Sequence, residues 1–168
     1  MEISGSDQLE YYLSSLDELG EILIEADRVG SVGAGVLRLT LGTVMASKGV
    51  IFLYQKEKDE LLFLAFQGID KAEPISPPKK LVENLKAHRY SHIILENTPK
   101  WITGKFKKHI VESKTKVILP LFHQNRMLGV LCIGKKFMGE EYSNADIKIL
   151  EIIAHHLTKA LYNYELIQ

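Results

Sequence analysis

The stretch from residue 116 to residue 168 decides the fold of this chain. It reads KVILPLFHQNRMLGVLCIGKK over residues 116–136 and SNADIKILEIIAHHLTKALYNYELIQ over residues 143–168. The first segment predicts two buried strands joined by a polar turn at residues 124–126, because each apolar run has the length of a strand. Pro120 indicates a sheet edge or an irregularity in the ladder, since proline has no N–H to donate.

The second segment predicts a helix from residue 144 to the end of the sequence. Ser143 followed by Asp146 predicts a capping box at its start. Its apolar face is broader than the two-row seam of a coiled coil, which indicates packing on the sheet and also on a second helix or subunit. Residues spaced seven apart form this face, and they include Leu150, Leu157, Tyr164, Ile153, Ala160, Ile147, Ala154 and Leu161. No glycine or proline terminates the helix before Gln168, which favours a longer parent protein.

Two helices are predicted before the sheet. An apolar residue recurs every three or four positions over residues 7–27, which predicts a helix with one apolar stripe. Residues 31–46 predict a second helix that contains Gly33, Gly35 and Gly42. Each glycine costs up to about 1 kcal/mol relative to alanine. We therefore expect this helix to depend on tertiary packing for its stability.

The centre of the chain, residues 48–136, predicts the sheet and a layer of short helices. Residues 50–54 and 61–67 predict two strands, and the short polar turn between them requires antiparallel pairing. Residues 92–95 predict a further short strand. The Ser-Pro pair at residues 76–77 favours the start of a helix, because serine caps a helix and proline fits its first position.

Residues 101–110 have helical spacing interrupted by Gly104, and they include the only tryptophan. A layer of short helices over one face of a sheet is where we expect a ligand pocket. We interpret His109 either as a ligand contact or as a partly buried, hydrogen-bonded histidine. The candidate ligand-binding residues are Trp101, Phe106, His109 and Phe66.

Charge is unevenly placed, although 21 Lys and Arg residues balance 21 Asp and Glu residues. Residues 1–27 carry eight acids and no Lys or Arg, whereas residues 79–116 carry ten bases and three acids. Three interpretations stay open: two solvated faces, a site for a small anionic ligand, or pairing of the basic segment with the acidic helix of this or another subunit. The balanced net charge does not indicate a nucleic-acid partner, and we expect none.

The length of 168 residues predicts a single domain. Cys132 is the only cysteine, so an internal disulfide is excluded and a reducing compartment is favoured. The N-terminus lacks the basic and apolar regions of a secretory signal. No apolar run approaches the roughly 20 residues that span a bilayer. We expect a cytoplasmic protein with no membrane span.

The order of the predicted elements resembles that of the GAF domain family, relatives of PAS domains, over nearly the whole chain. The residues that carry the resemblance are VILPL at 117–121, Asn125, LGVL at 128–131, YSNAD at 142–146, Leu150, Ala154 and ALYN at 160–163. The resemblance implies an α+β fold: an antiparallel sheet of five or six strands, with the first and last helices on one face and short helices over a pocket on the other. The domain would comprise N-terminal helices (1–47), sheet and pocket-side helices (48–136) and a C-terminal signalling helix (143–168).

We expect no catalysis, because no Ser-His-Asp or Cys-His pattern indicates a nucleophile. The resemblance concerns function as well as fold. It implies a sensory or regulatory domain of a bacterial signalling protein, which binds a small molecule and relays to an effector domain through terminal helices in a homodimer. The alternative is a dimerisation and relay module with a vestigial, empty pocket. The candidate dimer-interface residues are Leu16, Leu19, Leu23, Leu157, Leu161 and Tyr164.

The better-known ligands of the family need residues that this sequence lacks. The N-K-x-x-x-F-x-x-x-D-E motif of members that bind cyclic nucleotides is absent. Cys132 falls within a predicted strand, which disfavours attachment of a bilin, and members that reduce methionine sulfoxide use more than one cysteine. The adjacent pair His155 and His156 point about 100° apart on a helix, and no zinc-binding spacing occurs. We therefore predict no metal site and leave the cofactor unknown.

Overall fold

A five-stranded antiparallel sheet carries helices on both faces in the computed structural model of the chain. The structure describes residues 5–25, 28–70 and 73–167. Residues 26–27, where the first predicted helix ends, and Gln168 lie outside the described residues. The elements are α1 (Gly5–Glu25), α2 (Val29–Val44), β1 (Gly49–Gln55), β2 (Glu60–Gln67), α3 (Leu81–Lys86), β3 (Ile93–Ile94), α4 (Gly104–Glu112), β4 (Thr115–His123), β5 (Arg126–Gly134) and α5 (Asn144–Ile167). Within these described ranges, no helix is long and apolar enough to cross a membrane.

The strands lie in the order β2-β1-β5-β4-β3, and every neighbouring pair is antiparallel. The two predicted hairpins, β1–β2 and β4–β5, are confirmed, and they join where β1 pairs with β5. Strand β3 contains only Ile93 and Ile94, which lie opposite Ile118 and Val117. Pro120 therefore lies beyond the start of β3, at the edge of the sheet, as its missing N–H predicted.

Alternate residues of the strands divide the core into two parts. Ile51 and Leu53 face α1, α2 and α5, whereas Val50 and Phe52 face α3 and α4. This period of two is expected of a strand whose two faces are both covered. The α+β fold with five strands is confirmed, with the first and last helices on one face and short helices over the other.

Helix α2 approaches its neighbours closely because it has glycine at two contacts. A Cβ on Gly33 would lie 2.8 Å from Cγ of Leu64 in β2, and a Cβ on Gly35 would lie 2.9 Å from Cγ2 of Ile22 in α1. Neither position has room for a larger side chain without movement of a neighbour. The glycines lower the intrinsic stability of α2 and permit the close packing on which the helix depends.

The predicted start of a helix at residues 76–77 is wrong, because α3 begins only at Leu81. Ile75 exchanges two backbone hydrogen bonds with Leu61, at 2.8 and 3.0 Å, and so holds the preceding segment alongside β2. The chain cannot turn into a helix until it has left this pairing. Ala87, the residue after α3, is exposed.

Candidate functional site

Helix α4 places most of the predicted pocket residues over the sheet. It begins at Gly104, whose φ of 64° lies outside the right-handed helical region. Trp101 and Ile102 therefore precede the helix and are not part of it. Phe106 and His109 are three residues apart on α4, and both are buried. Trp101, Phe106 and His109 thus belong to one layer on the predicted ligand face.

Three phenylalanine rings, from Phe52, Phe63 and Phe106, form an aromatic cluster between α4 and the sheet. The ring of Phe52 lies 4.9 Å from that of Phe63 and 5.6 Å from that of Phe106, measured between centroids, with edge-to-face geometry in both pairs. Such a pair contributes about 0.5–1.5 kcal/mol beyond its buried area. Side chains of the protein itself therefore occupy the space directly beneath α4.

His109 has a buried ring nitrogen that forms no hydrogen bond with the described part of the chain. Its ring packs edge to face on Phe63, at 4.8 Å between centroids, and Nδ1 lies 3.8 Å from Oε2 of Glu112. That separation is too long for a hydrogen bond. Burial lowers the pKa of His109; the Glu112 carboxylate opposes this shift and Lys108 supports it. The ring is therefore uncharged at neutral pH, with Nδ1 open to a bonding partner.

Phe66 lies apart from the aromatic cluster. It is opposite Val50 near the end of β2, and 37% of its surface is exposed. Cross-strand partners share a face, so Phe66 is on the ligand side of the sheet but at its rim. Its role in ligand binding stays a prediction.

The residues that sequence reasoning missed are Phe52 and Phe63. The signal for Phe52 was its strand period, because it lies two residues after Val50 and must share its face. Phe63 could be placed only from the register of β1 and β2, which pairs it with Phe52 and includes a bulge next to that pair. A bulge shifts the period and is not visible in the composition of the strand.

The basic segment lies around α4 and is largely solvated. Lys105, Lys107 and Lys108 are exposed, and Nζ of Lys116 lies 3.4 Å from Oε2 of Glu96. The acidic helix α1 packs on α2 and α5, which cover the opposite face of the sheet. The acidic residues of α1 and the basic residues around α4 therefore lie on opposite sides of the sheet in one chain. Solvated faces, a small anionic ligand and pairing with another subunit all stay open as interpretations of the charge pattern.

A buried network around Asp146 joins the start of α5 to α1. The predicted capping box is present: the Ser143 N–H donates to Oδ2 of Asp146 at 2.9 Å, and the Asp146 N–H donates to Oγ of Ser143 at 3.1 Å. Lys136 Nζ lies 2.6 Å from Oδ2, and the Tyr12 hydroxyl donates to Oδ1 at 2.8 Å. Burial acts to raise the pKa of Asp146, but the bonds from Lys136, Ser143 and Tyr12 outweigh it and hold the pKa below its usual value. We call these four residues the Asp146 network.

The far end of α5 contacts the β4–β5 hairpin through a partly buried ring stack and an exposed ion pair. The ring of Tyr162 stacks on His123, with centroids 3.7 Å apart and planes inclined by 19°. Arg126 Nη2 donates to Oε1 of Glu165 at 2.8 Å, and both side chains are about half exposed. Exposed ion pairs contribute at most about 1 kcal/mol. The polar contacts at the far end of α5 are therefore weaker than those at its start, although Leu161 there is buried in the core.

The six predicted dimer-interface residues lie in the core on the helical face. Each of Leu19, Leu157 and Leu161 is at most 2% exposed, and the other three pack partly buried against the same core. These six residues are Leu16, Leu19, Leu23, Leu157, Leu161 and Tyr164. Among the described side chains of α1, the exposed aliphatic ones are instead Leu13 and Ile24, at 52% and 85% exposure. Their separation of eleven residues places them on one side of the helix.

Cys132 lies on β5, fully buried, with its thiol free. Burial raises the pKa of this thiol, which disfavours the reactive thiolate. Across the described ranges, no group of three or more His, Cys, Asp or Glu residues is arranged to hold a metal ion.

Comparison with known proteins agrees with this architecture. The sequence profile of the GAF domain matches residues 29–161, whereas the curated proteins give no match. The GAF domain of a phosphoenolpyruvate-protein phosphotransferase from Coxiella burnetii is similar in structure, with 14% identity, coverage of 94% of this chain and 96% of that chain, and a TM-score of 0.75.

Two further structures share the fold at low identity. One is free methionine-R-sulfoxide reductase from Neisseria meningitidis, with 17% identity, coverage of 100% of this chain and 98% of that chain, and a TM-score of 0.70. The other is a segment of a methyl-accepting chemotaxis protein, with 13% identity, coverage of 89% and 98%, and a TM-score of 0.70. Because the profile matches most of the sequence, the chain belongs to the GAF domain family.

Proposed function

We propose that the chain is a sensory or regulatory domain of a bacterial signal-transduction protein that binds a small anionic molecule beside α4. It relays binding through α1 and α5 of a homodimer to an effector domain in the parent protein, in the cytoplasm. Membership of the GAF domain family supports the sensory role, as does the similarity to part of a chemotaxis protein.

The buried Nδ1 of His109 is the observation that carries the ligand proposal. A buried polar atom without a hydrogen bond costs about 1–3 kcal/mol. A ligand that bonds to Nδ1 recovers that free energy, and Phe63 provides an apolar surface against the ring. Exposed Lys105 and Lys108 on the same helix favour an anion.

The relay proposal depends on the contacts between the terminal helices. The Asp146 network fixes the start of α5 to α1 through the Tyr12 hydroxyl. Leu13 and Ile24, exposed on one side of α1, give a second copy of the chain an apolar surface to cover. A shift of α1 caused by a ligand is then transmitted both to α5 and across the dimer.

The aromatic cluster favours a second candidate function, a relay module that binds no ligand. The rings of Phe52, Phe63 and Phe106 occupy the space beneath α4, and Phe52 and Phe106 are fully buried. In this case α4 has only a packing role. The domain then transmits a signal between neighbouring domains through its helices.

A thermal-shift screen of nucleotides, amino acids and organic acids tests the first proposal. A ligand at 100 times its Kd stabilises by about 2.7 kcal/mol, which raises Tm by about 5–10 °C in a chain of this size. The His109→Phe variant removes the unpaired nitrogen, so we expect it to be at least as stable as the wild type and to lose the ligand-dependent shift. His88→Phe, at an exposed position, is the matched control and should keep the shift.

The two candidates differ in the result of this screen. A stabilising ligand whose effect His109→Phe abolishes supports the sensory domain. A ligand that stabilises the His109→Phe and His88→Phe variants equally excludes a site at His109. A dimer that responds to none of the compound classes favours the relay module.

A further inference from the structure

A groove with a volume of about 450 Å³ runs between α5 and the free edge of β4. Volumes in this range are typical of sites for small molecules. Pro120, Phe122 and Ile152 line its apolar part, while Tyr90 and Ser91 form the wall that faces α5. The groove lies at the β3–β4 side of the sheet, whereas His109 packs on Phe63 of β2 at the opposite side. It is therefore separate from the site beside α4.

The groove exists because β3 is too short to cover β4. Strand β3 begins at Ile93, opposite Ile118, so it does not reach Pro120. At the other end of β3, Lys116 accepts a hydrogen bond at its carbonyl from the Leu95 N–H. Strand alternation places the backbone of residue 120 on the same edge as that of residue 116. Pro120 has no N–H there, so an extended peptide added to this edge would lack a donor. The groove is better suited to a ligand bound by side chains.

The side chains of α5 that line the groove provide positive charge and hydrogen-bond donors. Lys148 and His155 are seven residues apart and share one side of the helix. Burial, with repulsion from His155 and Lys159, lowers the pKa of His156. Lys148 is the one lysine among the residues that line the groove.

One acidic group, Glu151, also lines the groove and opposes an anion there. Its Oε2 lies 3.3 Å from Nδ1 of His92, which approaches from the segment before β3. His92 therefore engages one carboxylate oxygen of Glu151. The Tyr90 hydroxyl donates to the Gln124 carbonyl at 3.2 Å, which holds the opposite wall in place.

We propose that this groove binds a small monocarboxylate with an apolar body. The carboxylate pairs with Lys148, and the apolar body lies over Pro120, Phe122 and Ile152. The ligand contacts α5 directly, so its binding alters the same helix that we propose as the route of the signal. The proposal does not depend on the site beside α4.

Titration of the whole chain with octanoate, followed by two-dimensional NMR of the backbone amides, tests the proposal. We expect saturable shifts at Phe122, Ile152 and His155. Octanamide, which has the same body without charge, should bind about 5-fold more weakly, as should octanoate to Lys148→Gln. Lys159→Gln, which removes an exposed lysine of α5 outside the groove lining, should leave the affinity unchanged. Ile152→Trp fills the groove and should abolish binding in a folded variant.

Several outcomes would overturn the proposal. Shifts confined to Trp101, Phe106 and their neighbours place the carboxylate beside α4. Equal affinities for octanoate and octanamide exclude recognition of charge, and shifts that do not saturate exclude a site. A wild-type dimer that dissociates in Ile152→Trp shows that a second copy of the chain covers the groove.

Discussion

The Tyr12 hydroxyl donates a hydrogen bond to Asp146 across 134 residues of sequence, at 2.8 Å. The other oxygen of Asp146 receives the Ser143 N–H and lies 2.6 Å from Nζ of Lys136. Both oxygens of a 4% exposed carboxylate are therefore bonded. Since a buried polar network is favourable only when its members are satisfied, this contact fixes where α1 lies relative to α5.

Removal of the Tyr12 hydroxyl tests the strength of this connection. A hydrogen bond to a charged group contributes about 1.5–3 kcal/mol, so we expect Tyr12→Phe to lower the free energy of unfolding by about 2 kcal/mol. Tyr11→Phe is the matched control, because its hydroxyl bonds the Gly42 carbonyl at an exposed position. Urea unfolding measures both variants. If the free energy of unfolding falls equally in the two variants, the hydrogen bond to Asp146 is no stronger than the exposed one to Gly42.

Acid should weaken the Asp146 network. The folded chain holds the pKa of Asp146 below its usual 3.8, so its stabilisation is fully present above about pH 4 and is lost as the pH falls through the folded pKa. We expect Asp146→Asn to cost about 3 kcal/mol at pH 7, because it leaves the charge of Lys136 uncompensated. The difference from the wild type should shrink below pH 4 in urea unfolding measured across pH. A difference that is the same at every pH would contradict this assignment.

The glycines of α2 should respond in opposite directions to the same substitution. Gly33→Ala places a methyl group 2.8 Å from Cγ of Leu64, and such overpacking costs about 1–3 kcal/mol. A Cβ on Gly42 meets nothing within 4 Å, so Gly42→Ala should gain about 0.5–1 kcal/mol through helix propensity. Thermal unfolding of the two variants measures the contrast. If both substitutions stabilise the chain, Leu64 of β2 moves aside at no cost in free energy.

Charge on the exposed side of α1 should disrupt the proposed dimer and leave the chain folded. We expect the double variant Leu13→Asp with Ile24→Asp to sediment as a monomer at concentrations where the wild type is a dimer. Met138→Asp, a similar change at an exposed loop position, is the control. Leu157→Asp should instead unfold the chain, since Leu157 is fully buried. A wild type that is monomeric at high micromolar concentration would exclude the dimer.

Local patterns predicted the elements that depend on local chemistry. The β4–β5 hairpin, the edge position of Pro120 and the capping box of Ser143 and Asp146 each follow from a few neighbouring residues. The broad apolar face of α5 correctly indicated two kinds of partner, because the helix contacts both β4 and α2.

Contacts between distant segments could not be predicted in the same way. The pairing of Ile75 with Leu61 displaced the start of α3, and the bulged register of β2 placed Phe63 against Phe52. Leu157 and Leu161 are likewise buried by contacts with distant segments of the same chain. An apolar stripe indicates that a surface is covered, but only the fold shows which surface of the same chain covers it.

The unequal attachment of the two ends of α5 has a mechanical consequence. Asp146 and Glu165 are 19 residues apart, which corresponds to about 28 Å along the helix axis. A tilt of about 5° about the Asp146 end would displace the other end by about 2.5 Å at this rise per residue. Salt screens the exposed Arg126–Glu165 pair but hardly affects the buried bonds of Asp146. The outer ion pair of α5 therefore weakens with ionic strength, whereas the Asp146 network and the buried packing of Leu161 do not.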